Sequence, residues 1–129
     1  MEKSQKKKKK VKENSTDSPG FYFEDTDYEG RTVYLPLGRW ENKILIVHPD
    51  LAGYENTVRQ VAVDPQIVAF EDEIGDLEIH ASYDVGKDIY SKKWLWLPIK
   101  YKGNVGKILS AHWVTEIKKK IIKVTWRKN

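Results

Sequence analysis

The sequence has no cysteine among its 129 residues. Disulfide bonds, thiolate zinc sites and cysteine nucleophiles are therefore all excluded. No apolar run approaches the roughly 20 residues that cross a bilayer, and the lysine-rich N-terminus is not followed by the apolar core of a secretion signal. These absences predict a cytoplasmic protein with no membrane partner.

Sequence motifs that mark common cofactors are also missing. The chain has no glycine-rich dinucleotide fingerprint, no phosphate-binding loop ending in Gly-Lys-Ser or Gly-Lys-Thr, and no Gly-x-Ser-x-Gly nucleophile motif. Its three histidines, His48, His80 and His112, do not have the spacing of a zinc site. We therefore expect neither a cofactor nor a metal.

Charge is distributed unevenly along a chain whose length suits one domain. Residues 19–86 contain four basic and fourteen acidic residues, whereas residues 87–129 contain twelve basic and two acidic ones. The basic part can form a face that attracts phosphates. Alternatively, the acidic and basic parts pair with each other on a charge-balanced surface.

Residues 1–19 are predicted to be a disordered lysine-rich tail, and residues 20–129 to be one folded domain. Lys6 to Lys10 form an unbroken run of like charge, and little in this segment can enter a core. Such a run can bind RNA without sequence preference by releasing counterions. It can equally be a solvated tail that promotes solubility.

The remaining sequence has helix and strand signals in an α+β order. An apolar segment leads into His48, where Pro49 disfavours the helical conformation of the residue before it. A second amphipathic segment starts at Tyr54 and is stopped by Asp64-Pro65. Strands are predicted as a hairpin within 20–37 and then at 67–70, 77–83, 94–101, 105–114 and 121–126. The predicted fold has two N-terminal-half helices packed on a curved antiparallel sheet of four or more strands.

Alternation within two predicted strands assigns histidines to sheet faces. In residues 77–83, His80 lies on the polar face, opposite the apolar side chains. In residues 105–114, a regular strand puts Ser110 and His112 on the same face. Both faces are candidate sides of a polar cleft.

The segment 94–101 is apolar on both faces, which indicates a central strand. Pro98 interrupts this pattern because proline cannot donate a hydrogen bond to a neighbouring strand. We therefore expect a bulge or a strand end at Pro98.

The residue inventory fits cleavage of RNA without a metal. That reaction needs a base for the 2′-hydroxyl proton, an acid for the leaving oxygen and cations at the scissile phosphate. Histidine suits both proton-transfer roles near neutral pH, and lysine, arginine and hydroxyl groups stabilise the charge that develops on the phosphate oxygens. Considered one at a time, each histidine is more often structural or exposed than catalytic.

One arrangement of motifs is more specific than this inventory. The sequence has His48-Pro49-Asp50-Leu51 at the end of the first helix, Asp64-Pro65 at the end of the second, and then Tyr83 and the segment 108–112 in later strands. Over about residues 38–118 this arrangement resembles the phage- and toxin-associated nucleases of the barnase–EndoU–colicin–RelE-like fold. The resemblance implies a small α+β ribonuclease, with His48 at the site and Ser110 in the hydroxyl position of the last motif strand.

The sequence departs from the pattern of these families at two positions. His112 stands where an aromatic residue often follows the alanine of the last strand. His80 stands where a basic residue, commonly arginine, precedes the tyrosine at position 83. Both replacements keep side chains that can transfer protons or contact phosphate.

The expected function is therefore a phage- or toxin-type RNA endonuclease that cleaves by attack of the 2′-hydroxyl, without a metal. The expected catalytic residues, converging on one cleft, are His48, His80, Ser110 and His112. The expected substrate-binding residues are Arg59, Tyr83, Lys93, Lys100 and Lys107. The expected partners are RNA and a cognate antitoxin or inhibitor protein. Two alternatives stay open: a nucleic-acid-binding module without catalysis, and an antitoxin- or inhibitor-type protein interaction domain.

Overall fold

The structure, a computed structural model, describes residues 21–71, 77–117 and 121–127. The predicted N-terminal tail, the acidic connection after Glu71 (residues 72–76) and the lysines at 118–120 lie outside the described residues. In the described part the strands are β1 (Phe21–Thr26), β2 (Thr32–Pro36), β3 (Ile67–Glu71), β4 (Leu77–Tyr83), β5 (Trp94–Lys102), β6 (Val105–Ile108), β7 (His112–Val114) and β8 (Ile121–Trp126). The helical elements there are a continuous run over 37–47, the helix Glu55–Val63, and short 3-10 turns at Pro49–Leu51 and Asp88–Tyr90.

The strands form one sheet in the order β1-β2-β6-β5-β4-β3-β8, with β7 pairing with β5 on the side of β6. This confirms the predicted α+β class and a sheet of more than four strands. The expectation of a purely antiparallel sheet is wrong at one place, because β2 and β6 are parallel, with Tyr34 opposite Lys107. Parallel neighbours need a long crossover connection, and the helices and three other strands lie between these two in the chain.

The helical run over 37–47 packs its bulky side chains into the core and then stops. Trp40 and Ile44 are buried, and the run widens to a π-helical turn between them. It ends at His48, where φ is −128° and ψ is 70°, directly before Pro49. The end of the first helix is therefore where the sequence predicts it.

The helix Glu55–Val63 turns one side toward the sheet. Its buried side chains are Val58, Val61 and Ala62. The helix stops before Asp64, whose φ of −141° and ψ of 68° are not helical and which precedes Pro65. This second helix also has the inward side and the end that the sequence predicts.

The sheet has an inner face, covered by the helices, and an opposite outer face. Side chains alternate along β5, so Leu95, Leu97 and Ile99 point inward while Trp94 and Trp96 point outward. The helical side chains in the inner cluster are Trp40, Ile44, Leu51, Val58, Val61 and Ala62. The outer cluster consists of Ile67, Ala69, Ile79, Ala81, Trp94 and Trp96, with Val114, Ile117 and Val124 packed against it. Burial on both faces explains why the sequence of β5 is apolar on both.

The single regular strand expected through β6 and β7 is wrong, because the ladder with β5 is interrupted between them. Ile108 lies opposite Ile99, whereas His112 lies opposite Trp96. The chain from Ile108 to His112 is therefore one residue longer than the stretch of β5 from Trp96 to Ile99 that it faces, and this additional residue makes a bulge. Cross-strand partners share a face, so Ile108 points inward and His112 outward. The alternation that was expected to join Ser110 to His112 is therefore broken.

Pro98 lies inside β5 at the place where this ladder is interrupted. Its carbonyl oxygen accepts a hydrogen bond from the Leu109 amide (2.9 Å), so its backbone edge faces the irregular segment 109–111. The amide hydrogen that proline lacks is not needed there, because that segment is not part of a strand. The expected bulge is therefore present, but in the segment beside Pro98 and not in β5 itself.

Candidate active site

The rings of His48 and His112 stack on each other at the edge of the sheet. Their centroids are 5.4 Å apart and their planes are inclined by 23°. Both residues are half-buried, so each keeps part of its surface open to solvent. We call them the histidine pair. Two of the four predicted catalytic residues thus lie in contact.

Two separate elements bring the histidine pair together. The helical run 37–47 is tied near its start to the segment after β6, because Arg39 Nη1 donates a hydrogen bond to the Leu109 carbonyl oxygen (3.1 Å). At the other end of this run lies His48, held at the turn that Pro49–Leu51 forms. The short strand β7 holds His112 through its pairing with β5. A helix end and the residue after a bulge therefore meet at one edge.

An aromatic cluster of Tyr54, Tyr90 and Trp113 begins at the residue after His112. The Trp113 ring stacks on Tyr90 with centroids 5.1 Å apart and meets Tyr54 edge-on at 5.0 Å. Lys93 Nζ lies 5.6 Å from the centre of the Tyr90 ring. Trp113 is the cross-strand partner of the inward-pointing Leu95, so the predicted substrate-binding residue Lys93 belongs to a half-buried aromatic surface on the inner side of the sheet.

His80 is fully buried on the inner face of β4. Its Nδ1 is 2.7 Å from the Ala62 carbonyl oxygen, and its Nε2 is 2.9 Å from Glu78 Oε2. The carbonyl oxygen and the carboxylate are hydrogen-bond acceptors, so a ring nitrogen of His80 that carries hydrogen donates to the one it faces. Both nitrogens are therefore occupied within the protein, which leaves this ring no bonding position for a substrate.

His80 belongs to a buried charged network that also contains Asp27, Arg31, Glu78 and Tyr101. Arg31 donates to Glu78 through Nη1 (3.1 Å) and Nη2 (2.6 Å), and to Asp27 Oδ2 through Nε (3.0 Å). The Tyr101 hydroxyl donates to the same Asp27 oxygen (2.6 Å). Two carboxylates thus face the guanidinium of Arg31, with the His80 ring beside one of them, and the network ties the turn between β1 and β2 to β4 and β5.

The pKa values in this network follow from burial and from its hydrogen bonds. Burial alone would raise the pKa of Glu78, but hydrogen bonds from His80 and Arg31 outweigh it and lower the pKa to about 2. Burial is likewise outweighed at Asp27, chiefly by the hydrogen bond from Tyr101, so the pKa of Asp27 is also lowered. Burial and the bond to Asp27 raise the pKa of the Tyr101 hydroxyl far above its usual value. The carboxylates therefore stay charged throughout the neutral range.

Three other predicted site residues have different surroundings. Arg59 donates a hydrogen bond through Nε to Asp25 of β1 (2.9 Å). Tyr83 is 42% exposed at the end of β4, and its ring lies 5.3 Å from that of Trp94 on the outer face. Ser110 is half-buried in the irregular segment that leads to β7. Of these three, Ser110 is the one that shares a chain segment with the histidine pair.

The remaining predicted substrate-binding residues, Lys100 and Lys107, line a cavity of about 520 Å³. They are direct cross-strand partners on β5 and β6. The other residues that line it are Tyr34, Lys102, Val105 and Leu109. We call this the lysine cavity. Two residues of its lining, Lys102 and Tyr34, were not among the predicted substrate-binding residues.

The buried charged network was missed at the level of sequence, apart from His80. The available signal was the alternation of Glu78 with His80 on one face of a strand whose other face is apolar. By itself that pattern indicates the side of a polar cleft, because a strand pattern does not distinguish a solvated face from an internal ion pair. The distinction depends on Arg31, which a distant turn supplies.

Comparisons of the chain with protein-family models, with curated proteins and with solved structures returned no match. Within 21–71, 77–117 and 121–127, no helix combines the length and apolar character needed to cross a membrane. Over the same described ranges, no three histidine, aspartate or glutamate side chains are grouped so as to hold a metal ion.

Proposed function

We propose that this protein is an RNA endonuclease that acts without a metal, with His48 and His112 as its proton-transfer pair. The observation that supports this most is the stacking of the two half-buried rings, with 5.4 Å between their centroids. Rings this close can serve the attacking and the leaving oxygen of one phosphodiester. Histidine suits both roles because its usual pKa of about 6.5 leaves both protonation states populated near neutral pH.

In the proposed step, the neutral ring of the pair accepts the proton of a ribose 2′-hydroxyl. The 2′-oxygen forms a bond to phosphorus while the bond between phosphorus and the 5′-oxygen breaks. The protonated ring donates its proton to the departing 5′-oxygen. The products are a strand that ends in a 2′,3′-cyclic phosphate and a strand that begins with a 5′-hydroxyl, and no other reactant is consumed.

Groups around the histidine pair provide the other requirements of this reaction. Ser110, in the segment that leads to β7, carries a hydroxyl donor for the phosphate oxygens. On the inner side of the sheet, across β7 from the outward-pointing His112, Tyr90 and Trp113 offer ring faces for a nucleobase, with Lys93 as a cation beside them. His80 stabilises the fold in this proposal, because both of its ring nitrogens are bonded inside the protein.

Incubation with single-stranded RNA in EDTA tests the proposal. We expect fragments that end in 2′,3′-cyclic phosphate, and no cleavage at a position where the RNA carries a 2′-deoxynucleotide. His48→Ala and His112→Ala should each lower the cleavage rate by about 100-fold or more. The matched control is Lys43→Ala, which changes an exposed residue of the helical run and should cleave normally. Either histidine variant cleaving at the wild-type rate would contradict the assignment.

A nucleic-acid-binding module without catalysis is the second candidate, and the lysine cavity favours it. Three lysines around one cavity attract phosphates whether or not a bond is then broken. Tight binding of RNA that stays intact in EDTA over the whole incubation would replace the first candidate with this one. The same binding assay carried out with His48→Ala would then give an unchanged affinity.

A further inference from the structure

The lysine cavity opens on the outer face of the sheet, where β2, β6 and β5 lie side by side. Tyr34, Lys107 and Lys100 are successive cross-strand partners over these three strands. Lys102 extends this row along β5, on the same face as Lys100. The cavity volume of about 520 Å³ falls within the range of sites that bind small ligands, roughly 300 to 1,000 Å³.

The arrangement of the lysines concentrates positive charge at this place. Lys100 and Lys107 lie directly opposite each other, which puts their Cβ atoms about 5 Å apart. Apolar walls from Val105 and Leu109 strengthen the field by displacing water that would screen it.

The lysine cavity and His112 are on the same side of the sheet. Trp96 and Lys100 both point outward from β5, and His112 is the cross-strand partner of Trp96. At roughly 3.3 Å per residue, the separation along β5 is about 13 Å. Leu109, which lines the cavity, lies between Lys107 and His112 in the chain. A strand of a few nucleotides can therefore extend from the cavity to the histidine pair.

We infer that the lysine cavity binds the phosphodiester backbone of a single-stranded nucleic acid that continues past the histidine pair. Lysine contacts phosphate as a point charge on a flexible stem, which suits the variable backbone of a single strand. The Tyr34 ring adds a surface on which a base or a ribose can rest. That this strand is the substrate of a cleavage reaction rests on the proposed function, whereas its binding in the cavity does not.

Salt-dependent binding of a fluorescent oligothymidylate to the full chain tests this inference. This DNA has no 2′-hydroxyl, so it cannot be cleaved by the proposed step. Each phosphate contact contributes about 0.7 to the slope of log affinity against log salt for single strands. Lys102→Ala should therefore lower the slope by about 0.7, and the combined change of Lys100, Lys102 and Lys107 to alanine by about 2.

The control is Lys43→Ala, which makes the same change in charge on the helical run and should leave the slope unaltered. Thermal melting verifies that each variant is folded. If the combined variant does not fold, the salt slope of Lys102→Ala alone tests the inference. An unchanged slope in a folded variant would overturn the inference. Inorganic tripolyphosphate that competes as well as the oligonucleotide would overturn the assignment to a strand in favour of a free polyphosphate. A wild-type protein that binds in this way but leaves RNA intact would refute the proposed function alone.

Discussion

Arg31 donates two hydrogen bonds to the carboxylate of Glu78, at 2.6 Å and 3.1 Å, and so joins the turn after β1 to a strand 47 residues further along the chain. The two side chains are only 15% and 10% exposed. The free energy needed to remove both charges from water offsets much of their attraction. Removing only one of the two charges, however, leaves the other buried without compensation. The pair therefore makes the turn a fixed part of the fold.

Arg31→Ala should lower the free energy of unfolding by about 3 kcal/mol or more, because the carboxylate of Glu78 is left buried without its main partner. The matched control is Arg59→Ala, which breaks a pair with Asp25 at 2.9 Å whose side chains are 48% and 34% exposed. An exposed pair contributes at most about 1 kcal/mol. Urea denaturation of both variants measures the difference, and equal losses would contradict the role of burial.

Acid should weaken the fold through Glu78, whose pKa falls from about 4.5 in the unfolded chain to about 2 in the folded protein. A carboxylate with a lowered folded pKa contributes all of its stability above the unfolded pKa and loses it as the pH falls through the folded value. The free energy of unfolding is therefore expected to decline between about pH 4.5 and about pH 2, as measured by urea denaturation at successive pH values. Glu78→Gln should be less stable at neutral pH and should decline less. If the free energy of unfolding of Glu78→Gln declined with pH as much as that of the wild type, Glu78 would not be the source of the decline.

His80 and His48 should respond to substitution in opposite ways. His80→Gln removes the ring that contacts the buried carboxylate of Glu78 and should lower the free energy of unfolding by about 2 kcal/mol, while the folded variant continues to cleave RNA. His48→Ala should lose cleavage and cost less than about 1 kcal/mol, because this side chain is half-buried and surface changes have small effects. Denaturation and cleavage are measured on the same preparations. A folded but inactive His80→Gln protein would return this residue to the catalytic role that the sequence indicates.

Gly106→Ala should disturb the buried charged network from the neighbouring strand. A Cβ at this position would clash with the ring of Tyr101, its cross-strand partner. The centroid of that ring lies 3.7 Å from the guanidinium carbon of Arg31, and the Tyr101 hydroxyl donates a hydrogen bond to Asp27. We expect a loss of about 1 to 3 kcal/mol, the usual result of overpacking. The same substitution in a Tyr101→Ala background should cost much less, and two fully additive losses would show that the clash lies elsewhere.

Features set by neighbouring residues in the chain were predictable from the sequence. Pro49 and Pro65 end the two helical segments because each disfavours a helical conformation in the residue before it. The alternation of β4 separated Ile79 and Ala81 from His80, and the structure puts them on opposite faces. Such features depend on steric limits and on a fixed side-chain period, both of which act locally.

Pairing between distant segments decided the rest. One extra residue between β6 and β7 turned His112 outward, and an inserted residue reverses every side chain after it in a way that no alternation pattern reveals. The alternation around His80 is compatible with an open cleft and with an internal ion pair, and only the arrival of Arg31 from a distant turn made it the latter. The sequence by itself thus determined where the two helical segments end, which side chains alternate along β4 and which residues carry charge. The tertiary structure alone decided which charges are buried against each other and which histidines meet, because the free energies of burial and strand pairing depend on contacts between residues far apart in the chain.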